Sequence, residues 1–314
     1  MQKTLVLFEG RYGSTEEAAK ILALILGPAK TCPVDKFKDR YTGFDLFVVG
    51  TPLYSGEIAP KIAQFVQNNI SWLKDKNTAL FCLCLNPDEG EAALERLRRL
   101  LGHKVIGWKA FGGTQELDKL EGEAGQTLKT FYERTGLPLE SVDSSLKEEL
   151  VGFALEVKKA RDRLARSMPP VELKLYVEDF LKKHNTCTLS TAFVDRVRAT
   201  PIEYSYHDGR LYMLSEGGEK FAGILMNGRV SLAVYDDYHS VDRLAGMQIT
   251  GRATLLGPKD QEYQDILQLE GHSPEKIAAL PFALNMVRIE MEKVEFLNAD
   301  FKKKGQDVRQ VLFF

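Results

Sequence analysis

Cysteine and tryptophan are scarce in this chain, four and two among 314 residues. Cys32, Cys82, Cys84 and Cys187 include no C-x-x-C pair, and no histidines cluster beside them, so the spacing of a zinc or thioredoxin-type motif is missing. Cys82 and Cys84 alternate within the apolar run 78–85 and share one strand face. They read as small buried hydrophobes, with a redox pair or metal site as the alternative. An excess of one charge is lacking too: 42 basic residues face 44 acidic ones, a net charge of -2. That balance argues against nucleic acid or an anionic membrane as partner. No apolar run approaches the roughly 18 residues of a membrane span. The first residues read as a strand and lack the long apolar region and cleavage site of a signal peptide, which points to the cytoplasm. His103, His184, His207 and His272 are scattered. The segment from Tyr235 to His239 reads as a polar loop rather than a metal site, because adjacent strand residues face opposite sides. No serine, cysteine or carboxylate-pair catalytic set emerges.

What is present is ordinary globular composition, 44% hydrophobic and 27% charged, over a length that suits two domains. Apolar runs at 46–50, 78–85 and 105–111, with Thr4–Phe8, read as buried strands, and 29–34 is a weaker one. Helical periodicity fills 15–26, 60–69, 88–101 and 146–165. This βαβα alternation predicts a doubly wound parallel sheet with helices on both faces, which binds ligands beyond the carboxyl ends of its strands. Three loops fall there: 9–15, 51–58 and 86–90. The first opens on a helix N-terminus, where orphan N–H groups and the helix dipole favour an anion. Ser14 and Glu17 have the spacing of a capping box, a role that needs no ligand. The loop is neither G-x-G-x-x-G nor G-x-x-x-x-G-K-[ST].

The stretches FEGRYGST, VVGTPLYSGEIAPKIAQFV and KAFGGTQELDKL resemble the flavodoxin family, nearest its protoporphyrinogen-oxidase-like branch, over residues 1–165. The resemblance implies that Gly10, Arg11, Tyr12, Gly13, Ser14 and Thr15 wrap a flavin phosphate. It implies that Thr51, Pro52, Leu53, Tyr54 and Gly56 flank the ring system, with Tyr54 stacking on it. Glu9 departs from the pattern, since the family places hydroxyl residues near Glu9 and Gly10. At an effective dielectric of about 20 and a separation of about 4 Å, each like-charge pair costs roughly 4 kcal/mol. Turned inward, Glu9 opposes a phosphate; turned away, it leaves the loop amides able to bind one. Asp88, Glu89 and Glu91 in the third loop add acid near the expected flavin edge, or simply favour a helix N-terminus.

Met168-Pro169-Pro170 breaks the long helix and marks a boundary between domains at 1–168 and 169–314. An entry helix at 171–184 is followed by a change of period. Short β-branched or aromatic runs at 186–193, 198–206, 211–215, 230–235, 247–256 and 285–296 suggest a mostly antiparallel barrel. His207-Asp208-Gly209-Arg210 reads as a hairpin turn, and Asn227-Gly228 as a turn or helix stop. Lys220 opens a short helix after Ser215 and two glycines. A cation, a hydroxyl and free helix N–H groups can together hold a phosphate, and Arg198 and Thr200 on a nearby strand offer a second grip. Simpler readings stand beside these. Lys220 is a solvated helix lysine, Arg198 pairs with Asp195 or Glu203, and Gln248 points outward.

The run TPIEYSYHDGRLYMLSEGGEKFAGILMNGRVSLAVYDD, with QITGRATLL and the terminal FKKKGQDVRQVLFF, resembles the pyridoxamine-phosphate-oxidase-like split barrels over residues 170–314. This implies FMN bound by Arg198, Thr200, Pro201, Ser215, Glu219 and Lys220, with Gln248, Arg309 and Gln310 as further contacts. It also implies a homodimer with the flavin between subunits. The expected function is an FMN-binding oxidoreductase, its first domain relaying electrons or docking a redox partner, with a nicotinamide cofactor as a candidate donor. The alternative is a non-catalytic flavin or haem storage protein carrying a vestigial flavodoxin-like domain. The substrate is not legible, and pyridoxamine phosphate oxidation does not follow from a likeness to the broader barrel family.

Overall fold

The computed structural model describes residues 2–10, 13–54, 56–112, 144–164 and 167–314. The chain divides into two compact units, Met1–Ala165 and Arg166–Phe314.

The first unit runs β1 (Thr4–Phe8), α1 (Ser14–Ile25), β2 (Ala29–Pro33), β3 (Leu46–Tyr54), β4 (Glu57–Ile58), α2 (Pro60–Leu73), β5 (Asn77–Cys84), α3 (Pro87–Leu101), β6 (Val105–Gly112) and α4 (Ser144–Leu164). Strands β2-β1-β3-β5-β6 form a parallel sheet in that order, with Thr4 opposite both Ala29 and Leu46. Strand residues alternate between two cores. Leu5, Leu7, Phe47, Val49 and Leu80 pack with Ile62, Val66 and Leu94 of α2 and α3. Val6, Phe8, Val48, Ala79 and Phe81 pack with Leu22 of α1 and Phe153 and Val157 of α4. Burial on both faces is why these strands read as continuous apolar runs. Gly50 lies so close to Phe81 that a Cβ there would sit 2.1 Å from the ring Cζ.

Two details differ from the sequence reading. Strand β3 does not stop at Gly50; it continues to Tyr54 and turns back into β4, pairing Leu53 with Ile58. The expected second loop is therefore a hairpin, turned by Gly56 at φ +79°. The Ser14–Glu17 capping box is absent. Gly13, at φ +90°, occupies the cap position, no side chain caps the helix, and Ser14 is its first residue. The hydroxyl thus stands one residue too late in the helix to cap it.

The second unit runs α5 (Pro170–Lys183), β7 (Thr186–Phe193), β8 (Arg196–Glu203), β9 (Ser205–His207), β10 (Arg210–Ser215), α6 (Lys220–Asn227), β11 (Arg229–Tyr235), β12 (Ala245–Leu256), α7 (Gln261–Leu269), α8 (Pro274–Ala278), β13 (Asn285–Asn298) and β14 (Arg309–Phe313). The antiparallel order is β8-β7-β11-β12-β13-β10-β9, with β14 also on β13. The terminal strands of that order, β8 and β9, are separated in sequence only by Tyr204. The sheet therefore has to curl, and it forms the half-barrel of a split-barrel fold. The run 198–206 is accordingly two strands, not one. Tyr204 is the corner between them, buried, its hydroxyl donating to the Leu181 carbonyl at 2.9 Å. The hairpin at His207–Arg210 forms with Asp208 and Gly209 at positive φ. Gly228, at φ +63°, ends α6. Helices α7 and α8, which apolar periodicity did not announce, cover a small second core of Tyr212, Tyr263, Leu267 and Met286.

Candidate functional site

Strand β10 ends at Ser215, which is 2% exposed, and α6 begins at Lys220, which is 7% exposed. Between them Gly217 and Gly218 adopt φ +141° and +111°, conformations open to glycine alone. They fold the connection back so that the Ser215 hydroxyl lies 3.3 Å from the Gly217 N–H, and the Lys220 ammonium donates to the Gly217 carbonyl. Lys220 is thus a buried cation, not a solvated helix lysine. The helix amides are less free than expected, because Phe221 and Ala222 N–H already donate to the carbonyls of Gly218 and Glu219.

Strand β8 supplies the second grip. Arg198 and Thr200 lie two residues apart on one strand face. The Arg198 guanidinium stands 3.4 Å from the Glu219 carboxylate at the start of α6; its partner is neither Asp195 nor Glu203. Thr200 Oγ1 is buried and has no hydrogen-bond partner in the chain. Helix α6 reaches this strand pair because Gly223 sits directly on β7. A Cβ there would fall 2.8 Å from Thr191 Cβ and 2.9 Å from the Ala192 backbone. Sequence reasoning missed Gly223; an isolated glycine inside a helical pattern was its one signal.

The structure separates the remaining barrel candidates from this cluster. Pro201, Thr188, Ala233, Gln248 and Glu295 form one row across five strands, on the face opposite Thr200, Leu189, Leu232 and Ile249. Gln248 points outward and is exposed. Arg309 belongs to the outer face as well, where it pairs with Glu295. Gln310 is 1% exposed, accepts from the Met168 N–H at 3.0 Å and donates to the Asp307 carbonyl at 2.7 Å. Both ends of its amide therefore hold the fold together, in place of the ligand contact expected for it. Asp236, in the polar segment after β11, bonds His184 at 2.8 Å.

In the first unit the expected cradle is differently disposed. Gly10 folds against Thr15, so that an added Cβ would stand 3.0 Å from its Cβ. Thr51 is fully buried; its hydroxyl donates to the Pro52 carbonyl at 2.9 Å and accepts the Ala59 N–H at 3.0 Å. It secures the start of α2 and is not free for a ligand. Pro52 is buried and Leu53 packs against the core. Arg11, Tyr12 and the side chain of Tyr54 lie outside the described residues, as does the KAFGGTQELDKL stretch beyond Gly112. Asn86 caps α3 by accepting the Asp88 N–H at 3.1 Å, and Glu91 accepts the Ala110 N–H at 2.7 Å, so Glu91 serves the fold. Glu9 is turned inward. Its side chain is 20% exposed, one oxygen stands 3.8 Å from the Lys61 ammonium, and Oε2 is buried with no partner. A carboxylate so placed does not fit a phosphate.

All four cysteines are free and buried. Burial pushes the Cys187 thiol up to about 12. The bond to Cys84, at 3.9 Å between sulfurs, together with burial, raises the Cys82 thiol. A protonated, buried thiol such as Cys82 or Cys187 is a poor nucleophile and a poor metal ligand, whereas the bond from Cys82 lowers the Cys84 thiol. Among the described residues, no group of three or more His, Cys, Asp or Glu could hold a metal ion, and no helix is long and apolar enough to cross a membrane.

Comparison with known proteins agrees with the two folds. A flavodoxin domain model matches residues 5–136, and a pyridoxamine 5'-phosphate oxidase model matches residues 174–298. No curated protein matches the chain. Among solved structures, an FAD-binding protein from Mesorhizobium loti is 23% identical, covering 38% of this chain and 89% of its own, with a TM-score of 0.32. A putative pyridoxamine 5'-phosphate oxidase from Listeria innocua is 20% identical, covering 40% and 98%, with a TM-score of 0.33. A haem storage protein from Vibrio cholerae is 12% identical, covering 38% and 90%, also with a TM-score of 0.33. Likeness of this degree does not extend to activity. The parallel sheet of the first unit and the curled antiparallel sheet of the second, each matched by its own family model, make this chain a flavodoxin domain followed by a pyridoxamine 5'-phosphate oxidase domain.

Proposed function

We propose that this protein is an FMN-dependent oxidoreductase that holds its flavin in the second unit, at the interface of a homodimer. The observation that carries this reading is the orphaned, buried Thr200 hydroxyl, two residues along β8 from Arg198, whose guanidinium meets Glu219 just before Lys220 opens α6. Burying a hydroxyl without a partner is unfavourable, and a phosphate oxygen is an acceptor that would satisfy it. Arg198 and Lys220 supply the opposing charge, with Glu219 3.4 Å from Arg198 in an exposed pair. Bound flavin would supply the redox chemistry, and the chain supplies binding and orientation.

The dimer is supported by what surrounds the site. Val194, Val197, Leu225 and Met226, on the β7–β8 turn, β8 and α6, are 65–86% exposed. Apolar side chains gathered at an edge strand are what a second copy would cover. A partner subunit would also bring outer-face residues such as Gln248 and Arg309 toward a cofactor that they do not approach within one chain. The test is the visible spectrum of the purified protein and the flavin released per chain on denaturation, in wild type and Lys220→Ala. Flavin lost in the variant supports the site; unchanged content removes Lys220 from it. Bleaching of the bound flavin by NAD(P)H supports an oxidoreductase, whereas a flavin that no nicotinamide or other reductant of the assay turns over, or a haem spectrum, supports a binding or storage role.

A further inference from the structure

We propose that Glu9 bars phosphate-bearing flavins from the flavodoxin domain, so that the chain holds one flavin rather than the two its pair of folds would allow. Glu9 follows directly on β1, at the carboxyl end of a parallel sheet, where ligands of such sheets bind. Its N–H donates to the Gly50 carbonyl at 3.3 Å, which ties the residue to the middle of β3. From there its carboxylate reaches toward the first turn of α2, with Lys61 3.8 Å away. Lys61 is 60% exposed, and an ion pair so long and so wet neutralises little. Glu9 Oε2, buried and unpartnered, needs a hydrogen-bond donor. A phosphate brings only acceptors and further negative charge. Two nearby hydroxyls are poorly placed to offset this. Thr51 is bonded to Pro52 and Ala59, and Thr15 is 2% exposed and packed under Gly10.

The exclusion at Glu9 stands apart from the barrel reading, on which only the count of one flavin rests, and one set of titrations separates the two. FMN is titrated into the full chain as wild type, Glu9→Ser and Glu9→Gln, each with and without Lys220→Ala. Bound flavin is counted after gel filtration, and melting curves confirm that each variant is folded. Wild type should retain about one FMN and Glu9→Ser about two. The Glu9→Ser, Lys220→Ala double variant should retain about one. The new site should bind FMN about 100-fold more tightly than the same domain of wild type, or about 2.8 kcal/mol at 1.4 kcal/mol per tenfold. Glu9→Gln keeps the size and removes the charge, so it should gain the site as well. Two FMN in wild type, or folded Glu9→Ser and Glu9→Gln proteins that keep the wild-type count, would overturn the proposal. No flavin in wild type with one in Glu9→Ser would sustain it while refuting the barrel site.

Discussion

Thr200→Val separates the two things the Thr200 hydroxyl does. The substitution keeps the shape and removes a buried Oγ1 that has no partner within the chain. An unsatisfied buried hydroxyl costs about 1–3 kcal/mol, so its removal should stabilise the ligand-free second unit by about 1 kcal/mol. In a unit spanning Arg166–Phe314 that corresponds to a rise of about 2–4 °C in Tm. FMN binding should move the other way. A hydrogen bond to a charged acceptor contributes about 1.5–3 kcal/mol, so affinity should fall by about 10- to 150-fold. Differential scanning fluorimetry of flavin-free protein gives the first quantity, and quenching of FMN fluorescence on titration gives the second. Opposite signs are the signature of a hydroxyl held in readiness for a ligand. A higher Tm with unchanged FMN affinity would refute the assignment of Thr200 to the site. A lower Tm would show that the hydroxyl already contributes to the ligand-free fold.

Gly50→Ala should destabilise the first unit by about 1–3 kcal/mol through overpacking, since the new Cβ would fall 2.1 Å from a Phe81 ring that is 0% exposed; an unchanged urea midpoint would mean that the ring has room to retreat. Arg161, 2% exposed in α4, donates to Thr4 Oγ1 at 3.1 Å and to the Leu26 carbonyl at 2.6 Å. Arg161→Met should cost about 1.5–3 kcal/mol by removing buried hydrogen bonds from a charged donor, the Thr4 hydroxyl and the Leu26 carbonyl keeping their own 3.0 Å bond; a variant melting with wild type would contradict that. Burial alone would raise the Glu262 carboxyl, but the bonds from Tyr212 and Arg288, at 2.7 Å each, outweigh it and hold it below its ordinary 4.5. A lowered carboxyl adds stability above its unfolded value that is lost as pH falls through the folded one. The Tm gap between wild type and Glu262→Gln should therefore be constant from pH 6 to 8 and close below pH 4.5; a gap independent of pH would refute this.

The architecture was legible because it is written in local periods. Runs such as Val6 to Phe8 and Val48 to Val49 are apolar on both faces, and the helices between them carry one apolar stripe, so a parallel layered sheet follows. The change to short alternating strands after Pro170 announced the barrel in the same way. Lys220 and Ser215 were readable because a glycine pair before a helix is a local event. The ends of β3 and β8 were misjudged because pairing partners lie far along the chain. Ile58 returns to extend β3 as a hairpin, and Tyr204 turns the run 198–206 from one sheet edge to the other.

By itself, the sequence determined the two folds, the order in which they follow one another and the residue types available for a phosphate grip. Only the tertiary structure decided which of those residues meet. Strand register lines Gln248 up with Pro201 across the sheet, buried hydrogen bonds claim Gln310 and Thr51, and Gly223 lets α6 close onto β7. Tertiary packing also turned Glu9 inward. The physical reason is common to all of these. The face on which a side chain stands follows from its neighbours in sequence, but what it meets there is set by chain segments that only folding brings alongside.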